Sequence, residues 1–191
     1  MDSRSRLLIL GLGNLLCSDD GVGALVAEAI AETRELPEGV RVLDGGTLGL
    51  SLLPYLEDAE CAILVDAIQA DAPPGTLVRI DGDEVGPAVT ARLSVHQVGV
   101  ADLIDAARLR GRVPPTLVLL GIVPETIALG VGLSARVRDS ASELLSLVCE
   151  EARRLGFPLA PKAGHDSRSF DPAARGGDLR EPRARVLPQA V

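Results

Sequence analysis

The run Leu7-Leu8-Ile9-Leu10-Gly11-Leu12-Gly13-Asn14-Leu15-Leu16-Cys17-Ser18-Asp19-Asp20-Gly21-Val22-Gly23 constrains the fold of this chain more than any other stretch. It reads as a buried strand, a glycine turn, a loop with two adjacent carboxylates, and a helix. A short apolar run bounded by glycine suits a strand covered on both faces. Gly11 and Gly13 permit a sharp turn and a close backbone approach. Beyond them Val22, Leu25, Val26, Ala29 and Ile30 recur at spacings of three and four, one face of a helix. Ligands of open α/β sheets bind in the crevice outside the carboxyl ends of the strands, so Asp19 and Asp20 are expected at such a mouth. A dinucleotide does not fit there. The third glycine of that fingerprint would fall on Leu16, and two acids would repel the pyrophosphate that a helix N-terminus attracts. A carboxylate-rich turn suits a cation.

Downstream, strand and helix patterns alternate. Strands are expected at 6–11, 40–44, 61–66, 76–80 and 116–121, and helices at 21–34, 48–57, 96–109 and 135–155. The last helix is the clearest, with Val137, Ala141, Leu144, Leu145, Val148, Ala152 and Leu155 on one face and Ser134 as its N-cap. This order predicts an α/β fold, a three-layer α/β/α sandwich around a mostly parallel five-stranded sheet. The segment Gln69-Ala70-Asp71-Ala72-Pro73-Pro74-Gly75 is loop chemistry and too short for a parallel crossover. The fourth strand is therefore expected to be antiparallel and at an edge. Residues 1–157 form the expected domain. From 158 to 191 Pro, Arg, Gly and Asp dominate without a periodic face, and this tail is expected to be disordered.

Composition excludes several partners. Hydrophobic residues make up 47% of the chain but aromatics only 2%, so the core is aliphatic and there is little with which to stack nucleic-acid bases. A net charge of −8 disfavours a phosphate backbone. Cys17, Cys61 and Cys149 are scattered, odd in number and without a CxxC pair, which suits a reduced cytoplasmic protein. No apolar run approaches the ~20 residues of a membrane span. Arg4 and Arg6 before an apolar run mimic a signal peptide, but cleavage would remove the first strand.

Three acids fall at strand ends: Asp20 after the first, Asp44 after the second and Asp66 after the third. If these strands are neighbours, the acids share a crevice. Asp66 is the only charge of Cys61-Ala62-Ile63-Leu64-Val65-Asp66-Ala67 and stands near its carboxyl tip; the plainer role is a turn cap. Of the pair Asp19 and Asp20, one is expected to cap the helix and the other, Asp20, to act on a ligand. Asp44-Gly45-Gly46-Thr47 is either a tight turn or, functionally, a backbone channel for an extended peptide or a support for Asp66, and Thr47 is placed to cap the helix bearing Leu48, Leu52, Leu53 and Leu56. Ser94-Val95-His96-Gln97 matches a capping box, which places His96 in a first helical turn, where the helix dipole favours neutral imidazole, the metal-binding form. With Asp20 and Asp66 it would make an N/O ligand set suited to zinc- or nickel-like ions. His165 falls in the tail. Cys17 beside the acidic loop reads as a small packing residue. No GxSxG elbow or HExxH is present.

Together these segments resemble the nickel-iron hydrogenase maturation endopeptidases. The resemblance rests on the 11–23 run, on Asp44-Gly45-Gly46-Thr47, Val65-Asp66-Ala67, Ser94-Val95-His96-Gln97, Gly121-Ile122-Val123-Pro124-Glu125 and Gly132-Leu133-Ser134, in that order, over about residues 1–155. It implies an aspartic-type peptidase that trims the C-terminal extension of a hydrogenase large-subunit precursor after nickel insertion. It also implies a metal-binding and catalytic trio at Asp20, Asp66 and His96, with nickel supplied by the substrate, and support from Asp44, Gly45 and Gly46. The alternative from the same trio is a non-enzymatic nickel-checkpoint or carrier chaperone. The implied partner is the precursor; nucleic acid and membrane are not expected.

Overall fold

The computed structural model describes residues 6–85 and 97–164. Five strands, β1 (Leu7–Leu12), β2 (Val40–Gly46), β3 (Cys61–Ala67), β4 (Leu77–Asp81) and β5 (Thr116–Ile122), form one sheet in the order β2-β1-β3-β5-β4. β1 is parallel to β2 and β3, and β3 to β5, while β4 lies antiparallel to β5 at the edge. The expected architecture is the observed one, and strand bounds agree with expectation to within two residues. Hydrogen bonds from Ile68 N to Ile122 O (2.9 Å) and Gly75 N to Val123 O (2.8 Å) brace the turn into β4.

Alternation along β1 divides the core. Leu7 and Ile9 pack with the helices α1 (Val22–Thr33) and α4 (Ala135–Arg154) on one face. Leu8 and Leu10 face α2 (Leu53–Glu57) and α3 (Gln97–Leu109) on the other. The five apolar residues expected on the α1 face are all buried, as are six of the seven on α4, with Leu155 packed partly buried against them. Ser134 caps α4, accepting from Val137 N at 3.4 Å.

Three local expectations are corrected. The helix expected at 48–57 is a short 3-10 turn (Gly49–Leu52) followed by α2, because Pro54 has no N–H to continue the ladder; Leu48 of its expected apolar face is exposed. Thr47 caps nothing: the turn is entered through Leu48 N, which donates to Gly45 O at 3.0 Å. The ordered chain also runs past 157. Phe157 and Leu159 are buried in the α1–α4 core, Lys162 N donates to Thr33 O at 2.9 Å, and Lys162 Nζ donates to Ala31 O at 2.9 Å. These bonds satisfy carbonyls at the C-terminal end of α1, a tie that a search for periodic faces does not detect. Residues 165–191 of the expected tail lie outside the described residues.

Candidate active site

The sheet reverses its winding at β1. The chain crosses from β1 through α1 to β2 on one side, then returns through α2 to β3 on the other. The crevice between the carboxyl ends of β1 and β3 is thus the topological switch point, where such folds bind ligands. Two glycines set its shape. A Cβ on Gly11 would stand 2.2 Å from Gly23 O, and one on Gly23 would stand 2.1 Å from Val65 O and 2.5 Å from Leu12 O. Only bare backbone lets α1 begin in contact with both strand ends. Gly13, at φ +111°, folds the chain back so tightly that a Cβ would meet Asp20 O at 1.7 Å.

Asp20 and Asp66 meet in this crevice. Asp20 is 3% exposed and accepts a 2.7 Å hydrogen bond from Asn14 N; Asp66 is 6% exposed and accepts one of 2.8 Å from Ala67 N. Burial pushes the Asp66 carboxyl up to about 8, and the neighbouring Asp20 adds to the rise, against the opposing bond from Ala67. A like-charged buried pair is an arrangement that a cation relieves. Among the described residues no group of three or more His, Cys, Asp or Glu is gathered as an ion site. The third expected ligand, His96, directly precedes α3 in sequence and lies outside the described residues, as does Ser94 of its expected capping box.

Asp19 does something the sequence does not show. It is fully buried, and it does not cap its own helix. Its Oδ2 accepts from Glu125 N (2.9 Å) and Thr126 N (3.0 Å), and its Oδ1 from Ser134 N (2.6 Å). One carboxylate thus closes the loop between β5 and α4 onto the acidic loop after β1. The link spans more than a hundred residues, beyond the reach of any local pattern. A bridge between Cys17 and Gly130 runs beside it: Gly130 N donates to Leu16 O at 2.9 Å, and Ser18 N donates to Gly130 O at 2.9 Å. Cys17 is half-buried here, a free thiol like Cys61 and Cys149.

Asp44 lies near the carboxyl end of β2, level with Gly11, on the outer side of β1 from Asp66. Its side chain is exposed, and its Oδ1 accepts from Gly46 N at 3.0 Å. Loss of surrounding water raises its carboxyl above the ordinary range, Glu28 adds to the rise, and the Gly46 N–H opposes it. Gly45 is packed under Leu10 and Leu52, where a Cβ would come within 2.7 and 3.0 Å of their methyls, and Gly46 O accepts from Gly13 N at 3.1 Å. The turn role of this segment is therefore visible, and it also braces the floor of the β1 turn.

Around the crevice the surface is apolar. The loop after β1 exposes Leu15 and Leu16, the turn after β2 Leu48 and Leu50, and the loop after β5 Ile127, Leu129 and Val131. Among the described residues the only other large apolar side chains that are exposed are Leu36 and Leu109, which lead toward the opposite end of the sheet.

Known proteins share this fold. The family model described as hydrogenase maturation protease matches residues 24–151. The Hydrogenase 2 maturation protease of Escherichia coli (strain K12) is 36% identical over 163 residues, 84% of this chain and 99% of its own length. The hydrogenase expression/formation protein HupD of Rhodobacter capsulatus is 39% identical over 170 residues, 88% of this chain and 81% of its own. The solved structure of the hydrogenase maturating endopeptidase HybD from E. coli superposes with a TM-score of 0.80 at 34% identity, covering 84% of this chain and 99% of that one.

Proposed function

The chain belongs to the hydrogenase maturation protease family, and from that premise we propose that it removes the C-terminal extension of a nickel-iron hydrogenase large-subunit precursor once nickel has been inserted. The precursor's nickel docks on Asp20, Asp66 and His96. The observation that carries this reading is the convergence of two buried carboxylates, from different elements, on the switch-point crevice. Asp19 is not part of the docking set, because three backbone N–H groups already occupy its two oxygens.

Nickel here belongs to the substrate. Contact with two carboxylates and an imidazole tethers the precursor, reports that the metal is present, and fixes the peptide against the acids. Such positioning contributes several kcal/mol to a reaction barrier. Hydrolysis then adds water across the peptide bond: the carbonyl carbon gains the hydroxyl and the departing amine gains the proton. A carboxylate of the pair relays that proton as general base and acid, the aspartic-type reading.

The test is mass spectrometry of a cognate precursor, nickel-loaded and nickel-free, after incubation with the protein. Loss of a C-terminal peptide from the loaded sample alone is the expected result. Equal loss from both would remove the nickel gate. A stable complex without any loss would instead identify a checkpoint or carrier chaperone.

A further inference from the structure

We propose that Ser18 and Asp19 are positioning residues for the processing reaction: they clamp the turn that carries Asp20 to the loop between β5 and α4, and so hold the Asp20 carboxylate against Asp66. This rests on the peptidase reading above and adds what sets the geometry of its acid pair. The two acids are placed by different means. Asp66 belongs to β3 and pairs in register with Gly121 of β5, so the sheet fixes it. Asp20 lies past the end of β1, in a short 3-10 turn (Ser18–Gly21) outside the sheet. Both carboxyls are buried beside each other, an arrangement that neither acid favours. A turn left to itself would carry Asp20 out to water, so another element must restrain it.

The restraint shows first in the backbone. Among the described residues Ser18 alone of the non-glycines has a positive φ, +52°. Side chains other than Asn and Asp rarely adopt this conformation, and it persists only where the surrounding structure imposes it. Here Ser18 N donates to Gly130 O at 2.9 Å and Ser18 Oγ to Ala128 O at 3.0 Å. A Cβ on Gly130 would stand 2.8 Å from Ser18 Oγ, so the glycine makes room for the hydroxyl. Asp19 continues the clamp: its N donates to Thr126 O at 3.2 Å, and its carboxylate accepts from Glu125 N, Thr126 N and Ser134 N. All these bonds run to one loop, which ends on Ser134, the N-cap of α4. From the other side Asn14 N donates to Asp20 Oδ2 at 2.7 Å. Asp20 is thus held between two loops. Glycine at position 18 would take the left-handed conformation without strain, but it would neither bond Ala128 nor resist a change of φ.

Cleavage kinetics on the nickel-loaded precursor, together with NMR relaxation of the protein, test the proposal in Ser18→Gly and Asp19→Asn. Ser18→Gly removes the strain and the hydroxyl bond together, so its melting temperature should stay near that of the wild type. Its kcat should fall at least about tenfold with KM within about threefold, since a misplacement of about 1 Å can cost ~100-fold in rate. The order parameter of the Asp20 amide should fall with it. Asp19→Asn exchanges one accepting oxygen for a donor and should lower kcat in the same sense. Val148→Ala, in the buried core of α4, is the control: it should lower the melting temperature and leave kcat unchanged. Wild-type kcat in Ser18→Gly would overturn the clamp and leave the peptidase reading standing. A loss confined to KM would assign the two residues to substrate binding and overturn their positioning role. A lower kcat with the Asp20 order parameter unchanged would mean that Ser18 meets the substrate directly, and would overturn it as well. A wild type that does not cleave a verified cognate precursor would remove the peptidase reading, and the positioning role with it.

Discussion

At the amino end of the sheet, charged side chains find partners near the surface. Arg6 lies 4.0 Å from Glu60 and stacks 5.2 Å from the Phe157 ring, Arg110 pairs with Glu57, and Arg41 stands over Tyr55 at 5.7 Å. At the carboxyl end the logic is inverted: carboxylates are buried beside each other and leucines face water. Exposed ion pairs contribute little and are easily replaced. Buried like charges and exposed apolar rims both cost stability, so their coincidence at one end marks where folding has been subordinated to another task. Substitutions should therefore part company: at the amino-end ion pairs they change stability without activity, and at the acid pair they change activity without stability.

The largest separation is expected at Asp66. Asp66→Asn keeps the size and the oxygen that accepts from Ala67 N, yet removes the charge that a docked cation needs. Processing should fall at least ~1,000-fold, on the order of 4 kcal/mol in barrier. The melting temperature at pH 8 should be no lower than that of wild type, since burial and Asp20 disfavour the ionised acid. Wild-type processing by this variant would end the role given to Asp66.

Gly23 tests the scaffold beneath the site. In Gly23→Ala the new methyl meets the backbone oxygens of Val65 and Leu12, which cannot rotate away. A loss of about 3 kcal/mol, at the upper range for overpacking, is expected in urea unfolding. A loss under about 1 kcal/mol would show that α1 can lift off the strand ends, and that the crevice is less fixed than its glycines imply.

Asp19 lies between these extremes. Asp19→Ala removes the charged acceptor of three part-buried N–H groups of the loop between β5 and α4, so a cost of about 2–3 kcal/mol is expected. Hydrogen exchange should quicken at Glu125, Thr126 and Ser134 before the global unfolding limit is reached. Unchanged protection at these amides would mean that the loop is held by its own turns.

The contrast also explains what could be read from the sequence. Strand order at the edge, the α4 face and the positions of Asp20 and Asp66 follow from local signals: periodicity, a loop too short for a crossover, and a charge at the tip of an apolar run. The function of Asp19 does not, because its partners lie more than a hundred residues away and offer backbone rather than side chains. Adjacent acids look alike in sequence, and only the fold separates the tie from the ligand. The packing of 157–162 onto α1 has no local signal either, since two isolated apolar residues, Phe157 and Leu159, and bonds to backbone carbonyls make it. Cys17, Gly45 and Gly46 show the converse, since their surroundings are those of packing and turn residues.

The smallest effect sharpens the comparison from the far side. Glu151, buried near the C-terminal end of α4, accepts from Arg79 Nε at 3.2 Å and from Arg154 Nε at 3.0 Å. Burial raises its carboxyl, but the bonds from Arg154 and Arg79 outweigh this and hold it below the ordinary range. A carboxyl depressed in the folded state binds its proton more weakly there than in the unfolded chain. Its contribution is therefore complete above the unfolded value, near pH 4.5, and is lost as pH falls through the folded one. Glu151→Gln should cost about 1 kcal/mol at pH 7, and the two stability curves should converge as the pH is lowered below about 4. Processing at pH 7 should be unchanged, because the edge strand β4 carries Arg79 away from the crevice. A pH-independent gap between the curves would mean that shape rather than charge holds this corner. A fall in processing would mean that the two ends of the sheet are coupled through α4, whose N-cap Ser134 is bonded to Asp19.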